Sequence, residues 1–184
     1  MTLIVVVLAG ALIASALAAT RTKTIVYQAF TASGSPAIHV SKTVNGHCNG
    51  GANETNRNDA WRCFAGNFVY DPCFSSAKAA GIVLCPRRPW GSSGVEIKLS
   101  QPLSGGHTKK PSTKGLPWAM QTTSGLKCVF EGMGPLVSHS VFADYACQGG
   151  TWLWNKPNRG SQPWTIKAGS TTPAQTVQVK KAWF

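Results

Sequence analysis

Six cysteines, Cys48, Cys63, Cys73, Cys85, Cys128 and Cys147, lie downstream of an apolar N-terminal run, and this combination constrains the fold more than any other feature. An even cysteine count behind an export signal reads as a disulfide framework. Six cysteines allow 15 pairings. Short loops cost the least chain entropy to close, which favours nearest neighbours: Cys48 with Cys63, Cys73 with Cys85, and Cys128 with Cys147. The last of these pairs is expected to tie neighbouring strands together. Each bond contributes about 2–4 kcal/mol, mainly by restricting the unfolded chain. Zinc is disfavoured, because the chain has no C-x-x-C and His47 and Cys48 are adjacent rather than spaced as ligands. No metal and no cofactor is expected.

The N-terminus sets the compartment. Leu3 to Ala14 is apolar apart from small residues, and Ser15-Ala16-Leu17-Ala18 offers the small side chains that a signal peptidase reads. Met1-Thr2 supplies no Lys or Arg. The rival is an uncleaved anchor, whose flank Arg21 and Lys23 would hold the domain inside, where disulfides do not persist. The expected organisation is a signal peptide over 1–18, an extended segment over 19–44 that is a linker or a first strand, and a single disulfide-stapled domain over 45–184. The expected location is secreted or cell envelope.

Composition enters at the fold class. Gly and Pro are plentiful, at 19 and 11 residues, and favour turns over long helices. Val95, Ile97 and Leu99 alternate with Glu96 and Lys98, which marks a strand with one wet face. Trp118–Gln121 and Leu126–Phe130 flank a Ser124-Gly125 turn, and Val141–Cys147 and Thr151–Trp154 flank Gly149-Gly150. Trp164–Lys167 and Thr176–Lys181 continue the pattern. The fold is expected to be all-β, an antiparallel sandwich or barrel-like sheet. One short helix is expected near 58–65, with Asn58 as its cap, Trp61, Phe64 and Ala65 as its apolar face, and Gly66 as its left-handed stop.

The run Asp59-Ala60-Trp61-Arg62-Cys63, then Asp71-Pro72-Cys73-Phe74, Cys85-Pro86, Pro89-Trp90, Tyr145-Ala146-Cys147, Gly149-Gly150, Pro163-Trp164-Thr165 and Ala182-Trp183, resembles an uncharacterised exported domain of actinobacterial proteins. The resemblance spans roughly Cys48 to Trp183 and implies an envelope or secreted location, with no activity attached. The chain departs from the pattern at Asn49-Gly50, where an aromatic is expected.

Charge directs the functional reading. Eighteen Lys and Arg against six Asp and Glu give a formal charge of +12, a surface that attracts polyanions. Two basic-aromatic clusters stand out as candidate binding residues: Arg87, Arg88 and Trp90, and Trp152, Trp154, Lys156 and Arg159. Trp and Arg are strong contact residues, and Trp152 and Trp154, two apart, share a face if the segment is a strand. Core packing with basic sheet edges is the competing explanation. The expected function is non-catalytic binding at the cell envelope, with an anionic polymer or an extracellular protein as partner and no specific nucleic acid. One alternative is a secreted protein inhibitor or toxin-like ligand presenting the loop Ser104–Lys114. A lesser one is a hydrolase using His39, His47, His107 or His139 with Asp59, Asp71 or Asp144. No G-x-S-x-G elbow, H-E-x-x-H or phosphate loop occurs, so no catalytic residue is assigned.

Overall fold

The computed structural model describes residues 21–104, 113, 115–131, 137–138 and 140–184. The signal peptide expected over 1–18 and most of the loop over 104–114 lie outside the described residues. Strand β1 (Lys23–Ile25) is followed by β2 (His39–Gly51), β3 (Ala60–Ala65), β4 (Phe68–Phe74), β5 (Ile82–Pro86) and β6 (Ser93–Leu99). The second half holds β7 (Ala119–Thr122), β8 (Lys127–Phe130), β9 (Val137–Ser138), β10 (Val141–Cys147), β11 (Trp152–Asn158), β12 (Thr165–Gly169) and β13 (Gln175–Trp183). The protein is all-β, as the turn-rich sequence predicts.

Strands β2 to β6 form a closed barrel in simple meander order. A meander of five strands begins and ends in the same direction, so the closing pair β2–β6 must be parallel, and it is. Strands β7, β8, β10, β11, β12 and β13 form a second ring, which β13 closes by pairing with β7. Six strands end opposite to where they began, so this closing pair is antiparallel. Strand β1 adds to the ring edge in parallel with β13.

All three disulfides follow the nearest-neighbour pairing, Cys48–Cys63, Cys73–Cys85 and Cys128–Cys147. Cys48 faces Cys63 across the β2–β3 ladder, and Cys128 faces Cys147 across β8–β10. In the first barrel the bonded sulfurs are themselves core, packed with Val83 and Ile97. The second ring is filled by Met120, Tyr145, Leu153, Ile166 and Val179. A third cluster, Tyr27, Phe74, Leu84 and Trp118, joins the two halves.

Residues 58–65 are not helical. The segment is β3, where Trp61, Cys63 and Ala65 are buried and Arg62 and Phe64 are half-exposed, a period of two. Trp61, Phe64 and Ala65 fit a helical face equally well over so few residues, but Cys63 has to meet Cys48 on a neighbouring strand. Asn58 caps no helix, and Asp59 beside it forms a forked ion pair with the buried Arg57. Gly66 does stop the element, with φ of +57°, but as the first central residue of the two-residue Gly66-Asn67 turn from β3 to β4. That position of a type II′ hairpin turn favours glycine.

The segment before β2 is structural, not a free tether. Thr22 Oγ1 donates to the carbonyl of Val179, and the Tyr27 N–H donates to that of Phe184. Arg57 fastens the same junction. Its guanidinium donates to the carbonyls of Tyr27 and Phe184 and lies 4.7 Å from the Phe74 ring centroid.

Candidate functional site: a cleft at the opened seam of the first barrel

Strands β4 and β5 share a single ladder position, Phe74 opposite Leu84. Extending that antiparallel register by one residue places Cys73 opposite Cys85, which are bonded. The next step places Pro72 opposite Pro86. Neither proline has an N–H to donate, so the ladder cannot continue. Beyond this point the strands line opposite sides of a cleft of about 710 Å³. Tyr70, Asp71 and Pro72 stand on the β4 side, and Pro86, Arg87 and Arg88 on the β5 side. Val129 and Glu131, in and just after β8, bring the second ring into the lining.

Asp71 reaches the cleft through a bulge. The β3–β4 register slips between Trp61 and Cys63, so that Asp71 and Pro72 together oppose Arg62. An extra residue of this kind re-aims side chains locally. The Asn53 N–H donates to Asp71 Oδ2 at 3.0 Å, which docks the β2–β3 loop on β4 and brings the next residue, Glu54, into the same lining. Asp71 Oδ1 is buried and has no hydrogen-bond partner. Burial raises the pKa of Asp71, while the N–H groups of Asn53 and Glu54 and the Arg62 charge oppose the rise. Burial also raises Glu54, from 4.5 to about 8, assisted by the negative charges of Asp71 and Glu131. The Trp118 indole and the Arg62 charge pull it back. Among the described residues, no group of three His, Cys, Asp or Glu side chains is close enough to hold a metal ion, so the cleft carboxyls do not converge on one.

Arg87 is exposed and Arg88 half-exposed, and neither guanidinium has a hydrogen bond or an ion pair with the described residues. A smaller cavity of about 190 Å³ shares Arg88, Val129 and Glu131 with the cleft and continues to Trp90, Lys127 and Gln148. Trp90 packs edge-on against Trp183 at 5.5 Å, and the Lys127 ammonium lies 5.7 Å from its ring centroid. The first basic-aromatic cluster is therefore assembled on one groove.

The second cluster is not. Trp154 is 1 % exposed, and its Nε1 donates to the Gly169 carbonyl at 3.1 Å, so it is core and closed to a ligand. Its neighbour Leu153 is fully buried too, so both faces of β11 are covered and the simple alternation fails. The cause is irregular pairing: the β10–β11 register slips between Ala143 and Tyr145, and Asn155 takes φ of +63°. Arg159 is also structural. It stacks over Trp164 and Phe184 at 4.5 and 5.2 Å and donates to the carbonyls of Thr113 and Gly115. Trp152 is half-exposed, and Lys156 is exposed and faces Asp144.

Of the histidines, His39 is exposed and His47 stacks on Phe64 at 5.6 Å, while His107 and His139 lie outside the described residues. Sequence reasoning missed Glu54, whose only local signal was a polar loop. Comparison with known protein families, curated proteins and solved structures finds no match. Function is therefore argued from the site alone.

Proposed function

We propose that this protein works outside the cytosol, at the cell envelope, and holds a strand of an anionic polymer along the cleft and its extension. The observation that carries the reading is the Arg87-Arg88 pair, set on the lip of a cleft, with neither guanidinium in an ion pair with the described residues. An unpaired arginine presents a planar fork of donors matched to carboxylate or phosphate. Trp90 and Lys127 extend the same groove toward the second ring, as an elongated ligand requires. The formal charge of +12 adds a long-range field that draws polyanions in. Three disulfides accord with an oxidising compartment.

The test is a binding titration with polygalacturonate at low salt, with dextran as the uncharged control. Wild type should bind the uronate polymer and ignore dextran, and salt should weaken the complex steeply. The Arg87→Ala, Arg88→Ala double variant should lose about tenfold or more in affinity, roughly one lost charge-assisted contact. Equal binding by wild type and variant would show that the cleft arginines are not the contact. Failure to bind at low salt would leave the charge as a solubility device.

A further inference from the structure

We propose that the cleft hydrolyses an anionic polysaccharide, with the Glu54 carboxyl giving its proton to the glycosidic oxygen and the Asp71 carboxylate activating the attacking water. The inference rests on the binding reading above and extends it from holding a polymer to cutting one.

The first support is placement. Both carboxyls line one cleft large enough for several sugar rings, and the Asn53 N–H fixes the Glu54 loop to Asp71. Asp71 is asymmetric: Oδ2 accepts from Asn53, whereas Oδ1 is buried and accepts from no donor. Oδ2, whose bond to Asn53 is exposed, keeps a second lone pair and is the oxygen that water in the cleft can reach.

The second support is Trp118. Its side chain is fully exhausted as core, packed edge-on against Tyr27 and Phe74, and the residue has no solvent exposure. Its indole N–H interacts with the Glu54 carboxyl without reaching hydrogen-bond geometry, so a buried donor is left without a partner. Such a donor is costly unless something completes it. A Glu54 carboxylate formed on proton release would do so, and the Arg62 charge would stabilise that anion as well. The donors therefore stand where charge develops in the reaction.

Electrostatics separates the two roles. Burial, Asp71 and Glu131 keep Glu54 protonated at neutral pH, against the pull of Trp118 and Arg62. Burial raises Asp71 as well, but there the N–H groups of Asn53 and Glu54 and the Arg62 charge oppose the rise. Two carboxyls with environments that drive them apart are the acid and base of metal-free glycoside hydrolysis. Arg87 and Arg88 would select acidic sugars, and Phe68, 67 % exposed on the lining, offers a face for a sugar ring.

The step balances without a cofactor. The Glu54 proton passes to the glycosidic oxygen as its bond to the anomeric carbon breaks. Asp71 Oδ2 takes a proton from water, whose oxygen bonds that carbon. One water is consumed, one new reducing end and one new hydroxyl end appear, and solvent resets both carboxyls.

The experiment incubates the mature, disulfide-bonded protein with polygalacturonate and with hyaluronan, with dextran as control. New reducing ends are counted, and ¹⁸O uptake from labelled water is read by mass spectrometry. Wild type should release reducing ends carrying one ¹⁸O from at least one of the acidic polymers, with a rate that falls as pH rises through about 8. Glu54→Gln and Asp71→Asn should each lose about a hundredfold or more in cleavage, while binding stays within about threefold of wild type. Glu54→Asp, which keeps the carboxyl and retracts it by one methylene, is the second variant should the amide fold poorly, and the same loss is expected. Binding without new reducing ends, or a Glu54→Gln variant that cuts at the wild-type rate, overturns the hydrolytic inference and leaves the binding reading standing. If neither polymer is bound or cut, both fall.

Discussion

Replacing Cys73 and Cys85 together by alanine tests how the first barrel is held shut. The three disulfides span separations of 12, 15 and 19 residues, for Cys73–Cys85, Cys48–Cys63 and Cys128–Cys147. Loop-closure entropy alone assigns them about 2.8, 3.0 and 3.2 kcal/mol, so the Cys73–Cys85 bond should matter least. The structure ranks them differently. Strands β2–β3 and β8–β10 each keep two ladder positions beside their disulfide, whereas β4–β5 keeps one. Without the bond, the seam rests on Phe74 and Leu84, and the Pro72–Pro86 end cannot compensate. Losing that last ladder position adds about 1 kcal/mol, for a total near 4 kcal/mol. For a chain of this size each kcal/mol moves the melting temperature by about 2–4 °C, so a drop of about 8–16 °C is expected. The assay is urea and thermal unfolding of the three double-alanine variants side by side, followed by circular dichroism. If the Cys73/Cys85 variant is the most stable of the three, in order of loop length, the seam argument is wrong.

Three further outcomes follow from single residues. Gly66→Val should lower stability by about 1–3 kcal/mol in urea unfolding, because a β-branched residue is strained at the positive φ of this turn; an unchanged midpoint would place the turn elsewhere. Arg57→Met should cost about 3–5 kcal/mol, since it strands the Asp59 carboxylate, leaves the Tyr27 carbonyl unmatched and removes one of the two donors to the Phe184 carbonyl, and a loss under 1 kcal/mol would refute its role at the junction. Glu54 has a folded pKa raised from 4.5 to about 8, so its contribution is fully present below pH 4.5 and is lost as pH rises through about 8. Glu54→Gln, which does not titrate, should therefore melt with a shallower decline between pH 5 and 9 than wild type, and a parallel decline would count against a buried, protonated Glu54.

Much of the scaffold was legible in the sequence because its determinants are local. Each cysteine meets the next one along the chain, and the Gly149-Gly150 and Ser124-Gly125 turns announce hairpins that the structure contains. Where local signals were ambiguous, register decided. The Trp61–Ala65 run satisfies a helical spacing and a strand spacing alike, and only the Cys48 partner across the ladder selects the strand. Trp154 and Arg159 were misjudged for the converse reason: basic-aromatic sequence also describes an arginine stacked on Trp164 inside a junction. The cleft was hidden because it depends on a coincidence in space. Pro72 and Pro86 are ordinary loop signals apart, and they open a barrel wall only once the register sets them face to face.

The different strand parities of the two rings also make them different modules for rearrangement. In the second ring, Trp183 at the end of β13 lies beside Ala119 at the start of β7. A short peptide joining those two points would circularise the ring, and new termini could then be cut at Gly149-Gly150 without breaking a strand. The first barrel offers no such shortcut. Its closing strands run in parallel, so the chain leaves β6 at the opposite end from its entry into β2. A seven-residue strand is about 23 Å long, and any graft that inserts this barrel into a host must span that distance. The second ring is thus suited to insertion in a host loop, and the first to a place in a linear series.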